Sequence, residues 1–216
     1  MSVHTIVLAA GEGSRMKSKR AKSLQRIGGT SMLHKICTTA GKISPKITLV
    51  VGFDQDSVIK EANEYNLEIS IAEQPKAIGT GDAVKCGLTQ VEKESKVLVL
   101  YGDVPLIQED TLRKLIETSD DSLSILTTVL DNPYGYGRVA KDDSGNALSI
   151  VEEKDATDVE RKINEIFTGV LCGPKSLLDQ GLSIINNNNA AGEYYLTDLI
   201  SIINEKGYKI KTHEAS

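Results

Sequence analysis

Short apolar runs alternate with amphipathic stretches along this chain, and the two kinds of segment carry different periods. Residues 5–9, 47–51, 68–72, 97–101, 123–129, 147–152 and 166–172 are runs of strand length, rich in Val, Ile and Leu and bounded by turn formers. Between them, residues 31–42, 57–66, 81–91, 109–118 and 176–186 space their apolar residues at the helical period. Strands without a polar face must be covered on both sides. The β-α-β-α order therefore predicts a three-layer α/β/α fold whose sheet is mainly parallel. Pro105 blocks continuation of the fourth run, so the chain is expected to turn at Gly102 and Asp103.

The second half breaks this alternation. Residues 138–141 and 147–152 flank Asp142-Asp-Ser-Gly-Asn146, a hairpin signal, and predict a small β-ribbon inserted into a mixed sheet. The polar run Asn186-Asn-Asn-Asn189 reads as a surface loop. The sequence contains no internal repeat, and no hexapeptide repeat that would build a left-handed β-helix.

Composition narrows the class. A chain of 216 residues is long enough for one sizeable α/β core and too short for two full domains, so a single domain over residues 1–216 is expected. The formal charge of −5 argues against a general nucleic-acid binder. It leaves room for a nucleotide pocket, which needs only two or three cations. Cys37, Cys86 and Cys172 are far apart and form no CxxC pair, so buried thiols in a reducing compartment are the expectation. No basic segment precedes the apolar run 6–10, which is too short for a signal peptide or a membrane span. A cytoplasmic protein with no membrane partner is expected, and no motif sets an oligomeric state.

The chemistry is concentrated at Ile6-Val-Leu-Ala-Ala-Gly-Glu-Gly-Ser-Arg-Met16 and at Lys22. A buried strand ends there in small residues and glycines that leave main-chain N–H groups open to an anion, with Arg15 and Lys22 supplying positive charge. The loop lacks the third glycine of a dinucleotide fingerprint and the Gly-Lys-Ser/Thr end of a P-loop. By itself it also fits a tight strand-to-helix turn with solvated cations. Asp103 ends an aliphatic strand at the edge where open α/β sheets bind ligands. A lone carboxylate beside bound phosphates is a usual way to hold Mg2+. His4, His34 and His213 have no context of a catalytic triad or a zinc site.

Together, Leu8-Ala-Ala-Gly-Glu-Gly-Ser-Arg-Met16, Lys22, Gln74, Gly79-Thr-Gly81, Tyr101-Gly-Asp-Val-Pro-Leu106, Gly135-Tyr-Gly-Arg138, Val151-Glu-Glu-Lys-Asp-Ala156 and Gly192-Glu-Tyr-Tyr-Leu-Thr-Asp198 resemble the sugar-nucleotide pyrophosphorylases. The order and spacing are most similar to the uridylyltransferase domains of the bifunctional bacterial N-acetylglucosamine-1-phosphate uridylyltransferases. The resemblance implies a Rossmann-like nucleotidyltransferase domain that joins UTP to N-acetylglucosamine 1-phosphate and releases pyrophosphate. It implies Mg2+ held by Asp103, with Arg15 and Lys22 on the triphosphate. Leu8, Ala9, Ala10 and Gly11 would touch uracil and ribose, while Gln74, Gly79 and Thr80 would read the uracil edge. Tyr101 and Gly102 would flank the metal ligand, and Gly137, Glu152 and Thr168 would line the sugar pocket.

Three positions depart from the pattern. Phe167 stands where the family has an Asn before Thr-Gly, which makes the same chemistry on another sugar phosphate or another nucleotide the alternative. Ala21 stands where a Pro commonly precedes the lysine. The family's second metal ligand, an Asn, falls beyond Ser216, and a non-catalytic nucleotide-sugar-binding protein is the expectation that follows from a site without it.

Overall fold

The computed structural model describes residues 2–13 and 18–215. Its strands are β1 (Val3–Leu8), β2 (Arg26–Ile27), β3 (Thr30–Ser31), β4 (Lys46–Val51), β5 (Ile69–Glu73), β6 (Lys96–Tyr101), β7 (Ser124–Val129), β8 (Arg138–Lys141), β9 (Ala147–Val151), β10 (Glu165–Pro174) and β11 (Lys211–Glu214). The helices are α1 (Met32–Gly41), α2 (Gln55–Ala62), α3 (Thr80–Leu88), α4 (Glu109–Thr118), α5 (Lys175–Leu182) and α6 (Asp198–Glu205).

The main sheet runs in the order β11-β7-β10-β6-β1-β4-β5. β1 pairs in parallel with both β4 and β6, β4 with β5, and β7 with β11. Within this order β10 runs against its neighbours β6 and β7. The expected mixed, mainly parallel sheet is therefore present. The β8–β9 hairpin forms the expected ribbon and touches the sheet where Arg138 pairs with Ile166.

Alternation along the central strands divides their side chains between two cores. Ile6, Leu8 and Ala10 face one side with α3, α5 and α6, while Val7 and Ala9 face the other with α1, α2 and α4. Every side chain from Ile6 to Ala10 is at most 9% exposed, so this strand needed no polar face. The chain travels outward from β1 to β4 and β5, then returns to β6 on the opposite side of β1. That reversal makes the β1/β6 boundary a topological switch point, and the crevice at the carboxyl ends of the two strands is where such sheets bind ligands.

Two elements depart from the expected boundaries for identifiable reasons. Asp54 takes the left-handed conformation (φ 53°) and starts α2 at Gln55, ahead of the predicted residue 57. α5 stops at Leu182, short of the predicted end at residue 186. β2, β3, β11 and α6 were not expected. The turn after β6 falls at Gly102 and Asp103, ahead of Pro105, as predicted.

Candidate active site

Main-chain hydrogen bonds build the floor of the site. The Gly102 N–H donates to Leu8 O (2.9 Å), tying the turn after β6 to the end of β1, and the Ala9 N–H donates to Val50 O (2.9 Å). The Phe53 N–H donates to Ala10 O (3.1 Å), so the chain after β1 is held from both flanking strands.

Above this floor lies a cavity of about 270 Å3. Leu8, Ala9, Ala10 and Gly11 form one wall, while Gln74, Gly79 and Thr80 form another. Lys22, Tyr101 and Asp103 close the far end. These residues come from four separate stretches of sequence, and the fold brings them to one crevice. Arg15 lies outside the described residues.

Lys22 is carried by a short 3-10 turn (Lys22–Leu24), and its ammonium forms an ion pair with Asp103 at the cavity mouth. Gly13 makes this placement possible: its φ is +65°, and a Cβ there would stand 2.8 Å from the Cβ of Lys22. The Lys22 and Asp103 side chains are 42% and 25% exposed, so both remain within reach of an incoming anion or cation.

The wall bearing Gln74 and Gly79 is tied by several hydrogen bonds. Gln74 is 6% exposed, and its Nε2 donates to Gly79 O (3.0 Å) and to Asp82 Oδ2 (2.9 Å). Gly79 has φ +132°, and a Cβ on it would lie 2.3 Å from Tyr194 O. No other residue type fits that close approach. The Gly81 N–H donates to Tyr194 O (2.9 Å), and Thr80 Oγ1 accepts from the Leu196 N–H (3.1 Å). The segment around residues 192–198 thus clamps the Gly79-Thr-Gly81 turn, and Glu193 reaches the cavity rim. Glu193, Ser23, Ala77 and Ala83 line the cavity without having been singled out as site residues, although Glu193 sits in a motif that the sequence displays.

The residues expected at a sugar pocket, Gly137, Glu152 and Thr168, are not among those lining this cavity. Gly137 and Glu152 are neighbours, since a Cβ on Gly137 would lie 3.6 Å from Glu152 Oε1. The loop bearing Gly137 is fixed by buried Arg138, whose Nη2 donates to Glu153 Oε2 (2.6 Å), while the Gly135 N–H donates to the same oxygen (3.1 Å). Thr168 Oγ1 donates to Leu126 O (2.9 Å), so its side chain serves the sheet. The adjoining Gly169 packs under the Tyr101 ring. Phe167 is 7% exposed within the core, and its N–H is taken by Gly137 O (2.9 Å).

Glu152 is electrostatically unusual. Burial pushes its carboxyl above the ordinary range, a hydrogen bond from Thr197 Oγ1 (3.0 Å) opposes this, and Asp155, Asp198 and Glu193 push it further up. Burial likewise raises the Tyr101 phenol.

Among the described residues no group of three or more His, Cys, Asp or Glu side chains could cage a metal by itself. Asp103 offers one carboxylate that already accepts a cation, the Lys22 ammonium, at an open mouth. That donor set fits Mg2+, which keeps several waters and takes one or two carboxylates together with substrate phosphates. No helix among the described residues is long and apolar enough to cross a membrane.

Residues 5–156 match the model of the family described as MobA-like NTP transferase domain. The chain is 44% identical over 203 residues to the bifunctional protein GlmU of Francisella philomiragia, covering 94% of this chain and 44% of that protein. It is also 44% identical over 211 residues to the bifunctional protein GlmU of Caldicellulosiruptor saccharolyticus, covering 95% and 45%. The chain therefore spans less than half the length of these curated relatives. A solved structure from Bacillus anthracis, assigned as a glucose-1-phosphate thymidylyltransferase and bound to sucrose, superposes with a TM-score of 0.78 at 17% identity, covering 100% of this chain and 87% of the other. At that identity the match shows a shared fold.

Proposed function

The chain belongs to the MobA-like NTP transferase domain family, close to the bifunctional GlmU proteins, and on that premise we propose that it transfers a uridylyl group from UTP to N-acetylglucosamine 1-phosphate. One observation carries the reading. A buried amide (Gln74) and an ion-paired cation and carboxylate (Lys22 and Asp103) converge on one cavity at the switch point of the sheet.

Each group has a task in that reaction. The sugar phosphate oxygen attacks the α-phosphorus of UTP, the bond to the β-phosphate oxygen breaks, and pyrophosphate leaves with the electron pair. A phosphate dianion is already a nucleophile, so no general base is needed, consistent with a cavity lined by no histidine. Lys22 Nζ would leave Asp103 to meet the phosphate oxygens and offset the charge carried onto pyrophosphate. Asp103 would hold Mg2+, which when bound neutralises and orients phosphate oxygens. Arg15 would be a second cation on the triphosphate, as the sequence resemblance implies. Gly11 and its neighbours leave the wall flat for a base and ribose. With both amide hydrogens of Gln74 taken by Gly79 O and Asp82 Oδ2, its Oε1 would meet the base as an acceptor matched to the N3–H of uracil. Glu152 and Gly137 would meet the sugar, with the carboxylate accepting from hydroxyls.

A second reading rests on Phe167. Its ring is buried and its N–H is used by Gly137, so this position of β10 offers no polar group to a sugar. A different sugar 1-phosphate is then the acceptor in the same chemistry. Incubation with Mg2+, each of the four nucleoside triphosphates and a panel of sugar 1-phosphates, followed by pyrophosphate release, separates the two. Release confined to UTP with N-acetylglucosamine 1-phosphate supports the first reading, and release with another sugar supports the second. Ligand binding without release would make the chain a nucleotide-sugar-binding protein.

A further inference from the structure

Gln74 has two amide hydrogens, and the structure gives each an acceptor that cannot donate: the main-chain carbonyl of Gly79 at 3.0 Å and the carboxylate of Asp82 at 2.9 Å. Rotating the amide by half a turn would set Oε1 against a carbonyl and a carboxylate and leave both acceptors without a proton. The side chain is 6% exposed, so water does not readily replace what is lost. Its backbone is fixed as well, since the Gln74 N–H donates to Val51 O (2.8 Å). Asp82 itself is anchored in the first turn of α3, where the N-terminal end of the helix favours a negative charge.

From this geometry we propose that Asp82 is a specificity-determining residue that never touches the substrate. It locks the Gln74 amide so that the cavity sees only an acceptor. This deepens the reading that Gln74 meets the base and rests on it. A locked acceptor pairs with a base whose edge donates, such as the N3–H of uracil. It rejects cytosine, whose N3 is a lone pair, because two acceptors would then face each other in a buried place. Gly79 O alone offers half of the lock. With Asp82 absent, the amide can turn over, present its NH2 group to the cavity and accept cytosine.

Titration calorimetry of UTP and CTP against the intact chain with Mg2+ tests this without requiring turnover. The wild type is expected to bind UTP tighter than CTP by on the order of 10²-fold. Asp82→Ala is expected to narrow that ratio roughly tenfold, by losing affinity for UTP and gaining it for CTP. Asp82→Asn, which can still turn its carbonyl toward Nε2, should hold the ratio within about twofold. Asp82→Lys, which can only donate, should narrow it at least as far as alanine does. A merely structural role would weaken both nucleotides alike, so an unchanged ratio in the Ala and Lys variants overturns the proposal. Equal binding of UTP and CTP by the wild type is a different result, and it overturns the uracil-reading role of Gln74 itself.

Discussion

The ammonium of Lys22 rests on the carboxylate of Asp103, joining the loop after β1 to the turn after β6 across the cavity mouth. In a chain with no nucleotide bound, each charge answers the other. If both act on a triphosphate, they are one electrostatic unit. Lys22→Gln and Asp103→Asn should each lower kcat/KM for pyrophosphate release by about 10²–10³-fold. The double variant should lose much less than the product of the two, because contacting residues are not additive. Fully multiplicative losses would show that the two side chains work independently.

The clamp on the base-side wall predicts a contrast between two glycines with positive φ. Gly28 (φ +63°) has open space where a Cβ would go, and Gly79 (φ +132°) has the Tyr194 carbonyl 2.3 Å from it. Gly28→Ala should cost about 1 kcal/mol in urea unfolding. Gly79→Ala should cost roughly 3 kcal/mol or more and abolish UTP binding, since strain and overpacking add. Equal costs would mean that the Gly79–Tyr194 contact does not hold the turn.

Much of this site was legible in the sequence because its parts sit at strand ends. The aliphatic run at β1, the small residues that end it and the Asp delivered by β6 announce a ligand crevice at the strand ends, while the strand order that makes it a switch point comes from the structure. Through-space relationships were not legible. Tyr194 docking on Gly79 depends on how α3 meets the segment before α6, and Asp82 bonding Gln74 depends on how the start of α3 turns back over the end of β5. β11 escaped notice because Lys211-Thr-His-Glu214 is a polar edge strand with no apolar alternation. β10 read as another strand, but nothing in its composition says that it inserts antiparallel between β6 and β7.

Glu152 gives the account a pH signature. Its folded carboxyl titrates above the ordinary 4.5, chiefly because it is buried. Between 4.5 and that raised value the folded chain binds more protons than the unfolded one, so this group's contribution to stability falls as pH rises through the window. Thermal unfolding from pH 4 to pH 8 should therefore show the wild type losing stability relative to Glu152→Gln as pH increases. A difference that moved the other way would contradict the burial of this carboxylate.

Phe167 is a core residue at a position where the resemblance leads one to expect a ligand. Phe167→Asn should destabilise the chain by roughly 3 kcal/mol through lost packing and a buried amide. That corresponds to about 6–12 °C in Tm for a chain of this size. Little change would show that the ring is not part of the core and that the position is open to substrate.

Uridylyl transfer requires attack at the α-phosphorus of UTP, and label distribution reads that directly. The chain is incubated with Mg2+, N-acetylglucosamine 1-phosphate and UTP carrying label at the α- or the γ-phosphorus, and the products are separated. The α-label is expected in the nucleotide sugar and the γ-label in pyrophosphate, with both signals forming about 10²–10³-fold more slowly in Asp103→Asn. Release of γ-label as orthophosphate, or no transfer of α-label to any sugar phosphate, would contradict uridylyl transfer.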